Sequence, residues 1–357
     1  MVTILARSLT NRLLRIMKKI FFALAAVAAL AACSKSEAQY DDVQNEISFA
    51  PVTENITKAM VNTNAFPETE SFNVWAWYKQ LPASTPIAEW QAENTIDNQP
   101  YIVEKPFVNN SETTWKGQTS YFWPKLGSLL FAGYYPTSLE GNVSYEFENE
   151  SMGGDNKMVF SGIYQSSVAA TGYTEDIMYF NMTGVSSASG PVAVVFRHAL
   201  SWITVNVKKS ADSPKIVIDE IKFTKVNDKG TGTVDNSAAN NEIVWVTEGN
   251  IDAETVFGNN VELATTDTKL LEPLFIPQTM AGNLVIKYTI YSSDSEFFTE
   301  TYTAQLNSFQ TAEAAAMTKW EPAKHYTYNI EIGTSEILIE PTVQTWDEVT
   351  VPVSSLM

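Results

Sequence analysis

Cys33 is the only cysteine in the chain, and it closes the run Leu30-Ala31-Ala32-Cys33. A lone thiol has no partner within the chain, so its sulfur is read as a nucleophile that takes a lipid rather than as half of a disulfide. The residues before it supply what that modification needs. Lys18 and Lys19 make a positive start, and Ile20 to Ala29 form an apolar stretch too short to span a bilayer. Small side chains at Ala31 and Ala32 admit a signal peptidase that cuts in front of the cysteine. Leu30, Ala31 and Ala32 are therefore assigned to peptidase recognition and Cys33 to lipidation. Residues 1–16 carry Arg7, Arg12 and Arg15 but no apolar stretch, and read as sequence upstream of the true start at Met17.

Other reactive groups are sparse. His198 follows Phe196-Arg197 at a strand end and reads as a structural hydrogen-bonding residue; His325 lies on the polar face of its strand and reads as a surface residue. Two separated histidines and a lipidated cysteine make neither an ordinary zinc site nor a Cys–His pair. No Gly-rich phosphate loop, Gly-x-Ser-x-Gly elbow or His-Glu-x-x-His occurs. The 41 acidic residues offer many carboxylate pairs for glycoside hydrolysis, but no motif selects one. Acidic segments near Asp155 and Asp235–Glu242 lack EF-hand spacing and read as solvated loops. The chain is expected not to be an enzyme, and no catalytic residue, cofactor or metal is assigned. The nine tryptophans, with Trp75 and Trp77 on one strand face, suit either an aromatic core or a platform for sugar rings. A surface glycan-binding lipoprotein is therefore the rival reading.

All 41 acidic residues lie beyond position 32, and five of the 23 basic ones before it, which leaves the mature chain at −23. Such a surface repels nucleic acid and anionic headgroups, so neither is an expected partner. Contact with a membrane is expected through the Cys33 lipid alone.

The elements that position these residues are strands. Residues 34–46 are polar and acidic and read as a tether. Runs follow at Phe72–Tyr78, Ser128–Tyr135, Val143–Phe147, Lys157–Phe160, Lys215–Lys225, Glu242–Val246, Leu284–Tyr291 and Phe297–Gln305. In His325–Ile332 the alternation puts Tyr326, Tyr328, Ile330 and Ile332 on one face, the mark of an antiparallel strand wet on one side. Between Val192 and Lys208 the apolar phase switches, which requires a bulge or turn near Ala199–Ser201. Only Thr311–Lys319 resembles a helix. An all-β fold follows, with a small-residue boundary around Ser186–Pro191. The expected organisation is 1–32 upstream segment and signal peptide, 33–46 tether, 47–189 and 190–357 two β-sandwich domains.

Several segments, in order, resemble the fimbrillin (Mfa-like) family, the pilin-type lipoproteins of Bacteroidota. They are the lipobox ending at Cys33, Glu46-Ile47-Ser48-Phe49, Thr57-Lys58-Ala59, Phe72-Asn73-Val74-Trp75-Ala76-Trp77, Tyr121-Phe122-Trp123-Pro124, Leu130–Pro136, Glu175–Tyr179, Val194–Leu200, Leu274-Phe275-Ile276-Pro277-Gln278 and Trp320–Tyr328. The resemblance implies two tandem transthyretin-like β-sandwich domains, outer-membrane lipoprotein export and assembly into an adhesive surface pilus (fimbria). It implies other pilus subunits and a maturation protease as partners, with a host or bacterial surface ligand besides. It further implies donor-strand exchange: an N-terminal strand is cut away and a neighbour's strand replaces it. On this reading Ile47 and Phe49 mark the removable strand. Lys58 stands where many relatives carry the arginine that is cut, a departure from the family pattern. Val349, Val351 and Val353 share one face of a candidate donor strand, in which Pro352 is tolerated only on the unpaired side.

Overall fold

The computed structural model describes residues 45–53, 66–80, 99–111, 113–146, 157–164, 176–185, 190–235, 242–248, 255–257, 260–292, 295–309, 317–334 and 337–345. The strands in the first half are β1 Ser48–Thr53, β2 Phe72–Lys79, β3 Gln99–Ser111, β4 Thr114–Gly117, β5 Ser128–Tyr135, β6 Val143–Glu146, β7 Lys157–Tyr164, β8 Met178–Val185 and β9 Val192–His198. Those in the second half are β10 Ser201–Lys209, β11 Lys215–Thr224, β12 Lys229–Asp235, β13 Ile243–Glu248, β14 Thr255–Phe257, β15 Val261–Glu262, β16 Thr268–Leu271, β17 Leu274–Phe275, β18 Gln278–Thr279, β19 Asn283–Ser292, β20 Ser295–Gln305, β21 Lys319–Trp320, β22 Lys324–Ile332 and β23 Ile337–Thr345. The all-β expectation holds, and each strand run expected between Phe72 and Ile332 has a counterpart, whereas the candidate donor strand lies outside the described residues. Of the expected helix, residues 311–316 lie outside the described residues.

Where the resemblance implies a sandwich, the N-terminal strands close on themselves in the order β1-β4-β3-β2-β5-β8-β9. Closure is the work of β1, which pairs antiparallel with β4 and parallel with β9. A second sheet, β13-β12-β7-β6, covers part of the barrel's outer surface and takes strands from both sides of position 190. This covering explains why β2 and β5 are buried on both faces: Phe72, Val74 and Ala76 point into the barrel, while Trp75 and Trp77 pack outward with Leu130, Met158 and Phe160. The sequence shows continuous apolar runs at these strands for the same reason.

Two larger sheets, β16-β10-β22-β23 and β14-β11-β19-β20, enclose a core of Ile203, Val205, Ile286, Tyr326, Tyr328, Ile330 and their neighbours, and β18 and β21 form a small pair besides. Tyr326, Tyr328, Ile330 and Ile332 are all buried, as the alternation requires. The phase switch between β9 and β10 is a true break in the strand at Ala199–Leu200. His198 is buried and its Nδ1 lies 2.5 Å from Asp176 Oδ2, which matches the structural role expected of it.

His325 differs from expectation. Its ring stacks on Trp202 with centroids 3.6 Å apart and planes 9° from parallel, and its Nε2 lies 2.9 Å from Thr204 Oγ1. The polar face of β22 places it opposite Trp202 of β10, and stacking across the sheet covers both rings. Burial, reinforced by Lys269, pushes its pKa down to about 4. Between that value and the ordinary range of a free histidine, the unfolded chain holds a proton that the folded one does not. Stability therefore falls as pH drops from about 6.5 towards 4. Urea titrations at steps across this interval should show a shallower fall for His325→Gln than for the parent.

Candidate functional site

Ile47 and Phe49, assigned to a removable strand, both lie with no exposed surface inside the barrel. β1 alternates there as the sequence predicts: Phe49, Pro51 and Thr53 are buried, whereas Ala50 and Val52 are half-buried. Phe49 sits at the centre of an aromatic cage. Its ring centroid lies 5.0 Å from Phe107, 5.1 Å from Phe131, 5.9 Å from Phe72 and 6.0 Å from Phe180, mostly edge to face. Edge-to-face pairs of this kind add about 0.5–1.5 kcal/mol each beyond area burial. Gly133 makes room for the cage, since a Cβ there would stand 2.3 Å from the Phe180 ring.

The strand is latched where it begins. Glu46 bridges to Phe122, the Ile47 N–H donates to the Tyr121 carbonyl at 2.7 Å, and Lys116 Nζ donates to Glu46 Oε2 at 2.5 Å. Hydrogen bonds from Lys116 and then Ser120 hold the Glu46 carboxyl below its usual range. Because the ion pair is partly solvated, Lys116→Met is expected to cost the intact chain no more than about 1 kcal/mol in a denaturant titration.

Lys116, the Tyr121–Phe122 loop and the cage phenylalanines were not legible as site residues. Only the long-range register, Ser48 opposite Lys116 and Phe49 opposite Trp115, brings them to β1. Cys33, Leu30, Ala31, Ala32, Lys58, Val349, Val351 and Val353 lie outside the described residues. Among the described residues no group of three or more His, Cys, Asp or Glu is placed to hold a metal ion.

The tryptophans among the described residues, which exclude Trp90 and Trp346, are engaged within the fold and do not form a platform. Trp75 and Trp77 pack on Tyr145, Trp115 on Phe66, Trp123 on Phe131, Trp320 flat on Phe275 and Trp202 flat on His325. The Trp245 indole N–H donates to the Ala199 carbonyl at 2.8 Å.

A closed barrel whose closing strand is also its N-terminal one, with a covering sheet and further sheets beyond it, defines an all-β protein. Residues 57–346 match the fimbrillin-like family, and residues 17–34 match the prokaryotic membrane lipoprotein lipid attachment site. The chain belongs to the fimbrillin-like family, whose members are structural pilus subunits and not enzymes. No curated protein matches it in a sequence comparison. Among solved structures, a fimbrial protein from Bacteroides vulgatus aligns over 85% of this chain and 100% of its own, at 15% identity and a TM-score of 0.51. A structure from Bacteroides uniformis, assigned provisionally to cell adhesion, aligns over 84% and 99% at 13% identity and 0.51. The tip fimbrial protein Mfa3 from Porphyromonas gingivalis aligns over 84% and 98% at 9% identity, with a TM-score of 0.42.

Proposed function

We propose that this chain is a subunit of an adhesive cell-surface pilus, exported as an outer-membrane lipoprotein through Cys33, in which β1 is exchanged for a strand of another subunit. The observation that supports the reading most is the place of β1. It makes the one parallel pairing in the barrel, with β9, and its connection to β2 runs through the segment that contains Lys58. A cut there separates β1 from β2 and leaves every described strand whole. Its departure leaves the edges of β4 and β9 unpaired and the aromatic cage empty, a trench that a strand from a neighbour satisfies by backbone pairing and apolar burial. Val349, Val351 and Val353 are the residues proposed to be donated onward to another subunit.

The test uses protein beginning at Ser34, treated with a lysine-specific protease and analysed by N-terminal sequencing and native mass spectrometry. Cutting at Lys58, followed by replacement of the retained 34–58 fragment by a free labelled β1 peptide with the body still folded, is the expected result. A cut chain that unfolds as the fragment leaves, or that never accepts a replacement strand, would sink the proposal.

A further inference from the structure

We infer that the groove left by β1 does not accept this chain's own Glu348–Val353 segment, so that its donor is a different subunit: a strand with a carboxylate three residues before an aromatic, as Glu46 stands before Phe49 of β1. The inference rests on the strand-replacement reading above and names the partner for that same groove. Two features of the groove select the occupant. One is the cage of Phe72, Phe107, Phe131 and Phe180 around the Phe49 ring, the other the Lys116 ammonium on Glu46. Glu46 and Phe49 are three apart, so one extended strand engages both.

Backbone direction adds a third condition. N–H groups along a strand alternate sides. Ile47 sends its N–H towards the β4 side, to Tyr121, so Phe49 and Pro51 share that side while Ala50 and Val52 face β9. β4 pairs with Ser48 and Phe49 only, and the missing donor of Pro51 therefore leaves no acceptor bare.

The chain's own candidate donor, Glu348-Val349-Thr350-Val351-Pro352-Val353, meets these conditions incompletely in either direction. Laid along β1 in the same sense, Glu348 falls on Lys116, Val349 replaces Ile47 and Val351 replaces Phe49. Pro352 then takes the place of Ala50, opposite Ala193, and removes a donor that β9 requires. Reversed, Pro352 turns to the free side but Glu348 leaves Lys116. In both directions an isopropyl group stands where the cage holds a phenyl ring, and the contacts of the four surrounding rings are lost on one side. Trp346 offers no remedy, because it shares its face with Glu348, which would then be buried in the core. A subunit whose groove excludes its own tail is flanked in the pilus by other chains.

The test is competition for the groove, with a site-specific protease sequence inserted after Lys58 so that opening does not depend on the native cut. Three labelled peptides are followed by fluorescence anisotropy on the cut protein: residues 45–55, residues 346–357, and the second carrying V351F and P352A. The tail peptide is expected to bind about 30-fold more weakly than the β1 peptide, about 2 kcal/mol, and the doubly substituted tail to recover most of the difference. A tail within about threefold of the β1 peptide, or a substituted tail no better than the native one, overturns the inference. Failure of all three to enter, after refolding from denaturant as well, overturns strand replacement itself.

Discussion

Phe49→Ala is expected to destabilise the intact chain by about 3–5 kcal/mol, read as a lowered midpoint in urea with an unchanged slope. The ring has no exposed surface and four phenylalanines around it. The strand that carries it is short, so little of the surrounding structure is free to collapse into the void. Phe49→Leu, which keeps most of the volume, should cost less than half as much. The comparison separates filling of the cage from mere hydrophobicity. If the two variants lose equal amounts, the cage does not discriminate by shape, and the basis for a selective groove goes with it.

Asp176→Ala carries the second large effect. The His198 ring and the Asp176 carboxylate are both buried, 2.5 Å apart, where the β8–β9 hairpin meets the barrel end. Oδ1 of Asp176 has no hydrogen-bond partner among the described residues, so compensation for burying the carboxylate is concentrated in His198. Removing it takes away the carboxylate that faces the buried ring Nδ1 and is expected to cost about 3–5 kcal/mol. Asp176→Asn, which preserves an acceptor for the ring N–H, should fall well short of that. Thermal unfolding of the two variants side by side provides the check. Equal losses would mean that charge rather than hydrogen bonding holds the pair.

Local pattern carried the strands, and distance hid the site. Tyr326–Ile332 alternates because one face of β22 meets a core and the other faces out, and a period of two in the sequence says so directly. The break at Ala199–Leu200 was equally legible, since a change of phase has no other cause in a strand pair. Barrel closure was not, because the pairing of Phe49 with Val192 leaves no trace in the residues beside either one. Lys116 was missed for the same reason: its partner Glu46 is 70 positions away. His325 was misread because alternation assigns a face but does not show what stands next to it across the sheet. Ile47 and Phe49 emerged through resemblance, and their burial in the barrel adds the physical reason that their removal would open it.

The order in which the barrel's members are made sets a timetable for folding. β1 is the first of the described strands to be synthesised, yet the parallel partner that completes its pairing, β9, begins only at Val192, and the covering sheet waits for β13, which ends at Glu248. Loop-closure entropy must be met before such distant contacts stabilise anything, which makes this a slow topology. Until β9 is made, the chain exposes Ile47 and Phe49 with nowhere to put them, beside half-built edges that invite pairing with another molecule. A nascent chain of this kind depends on being kept unpaired and extended until β13, which ends at Glu248 of 357 residues, has been made. The edges of β4 and β9 left waiting for barrel closure make premature pairing between molecules its characteristic hazard.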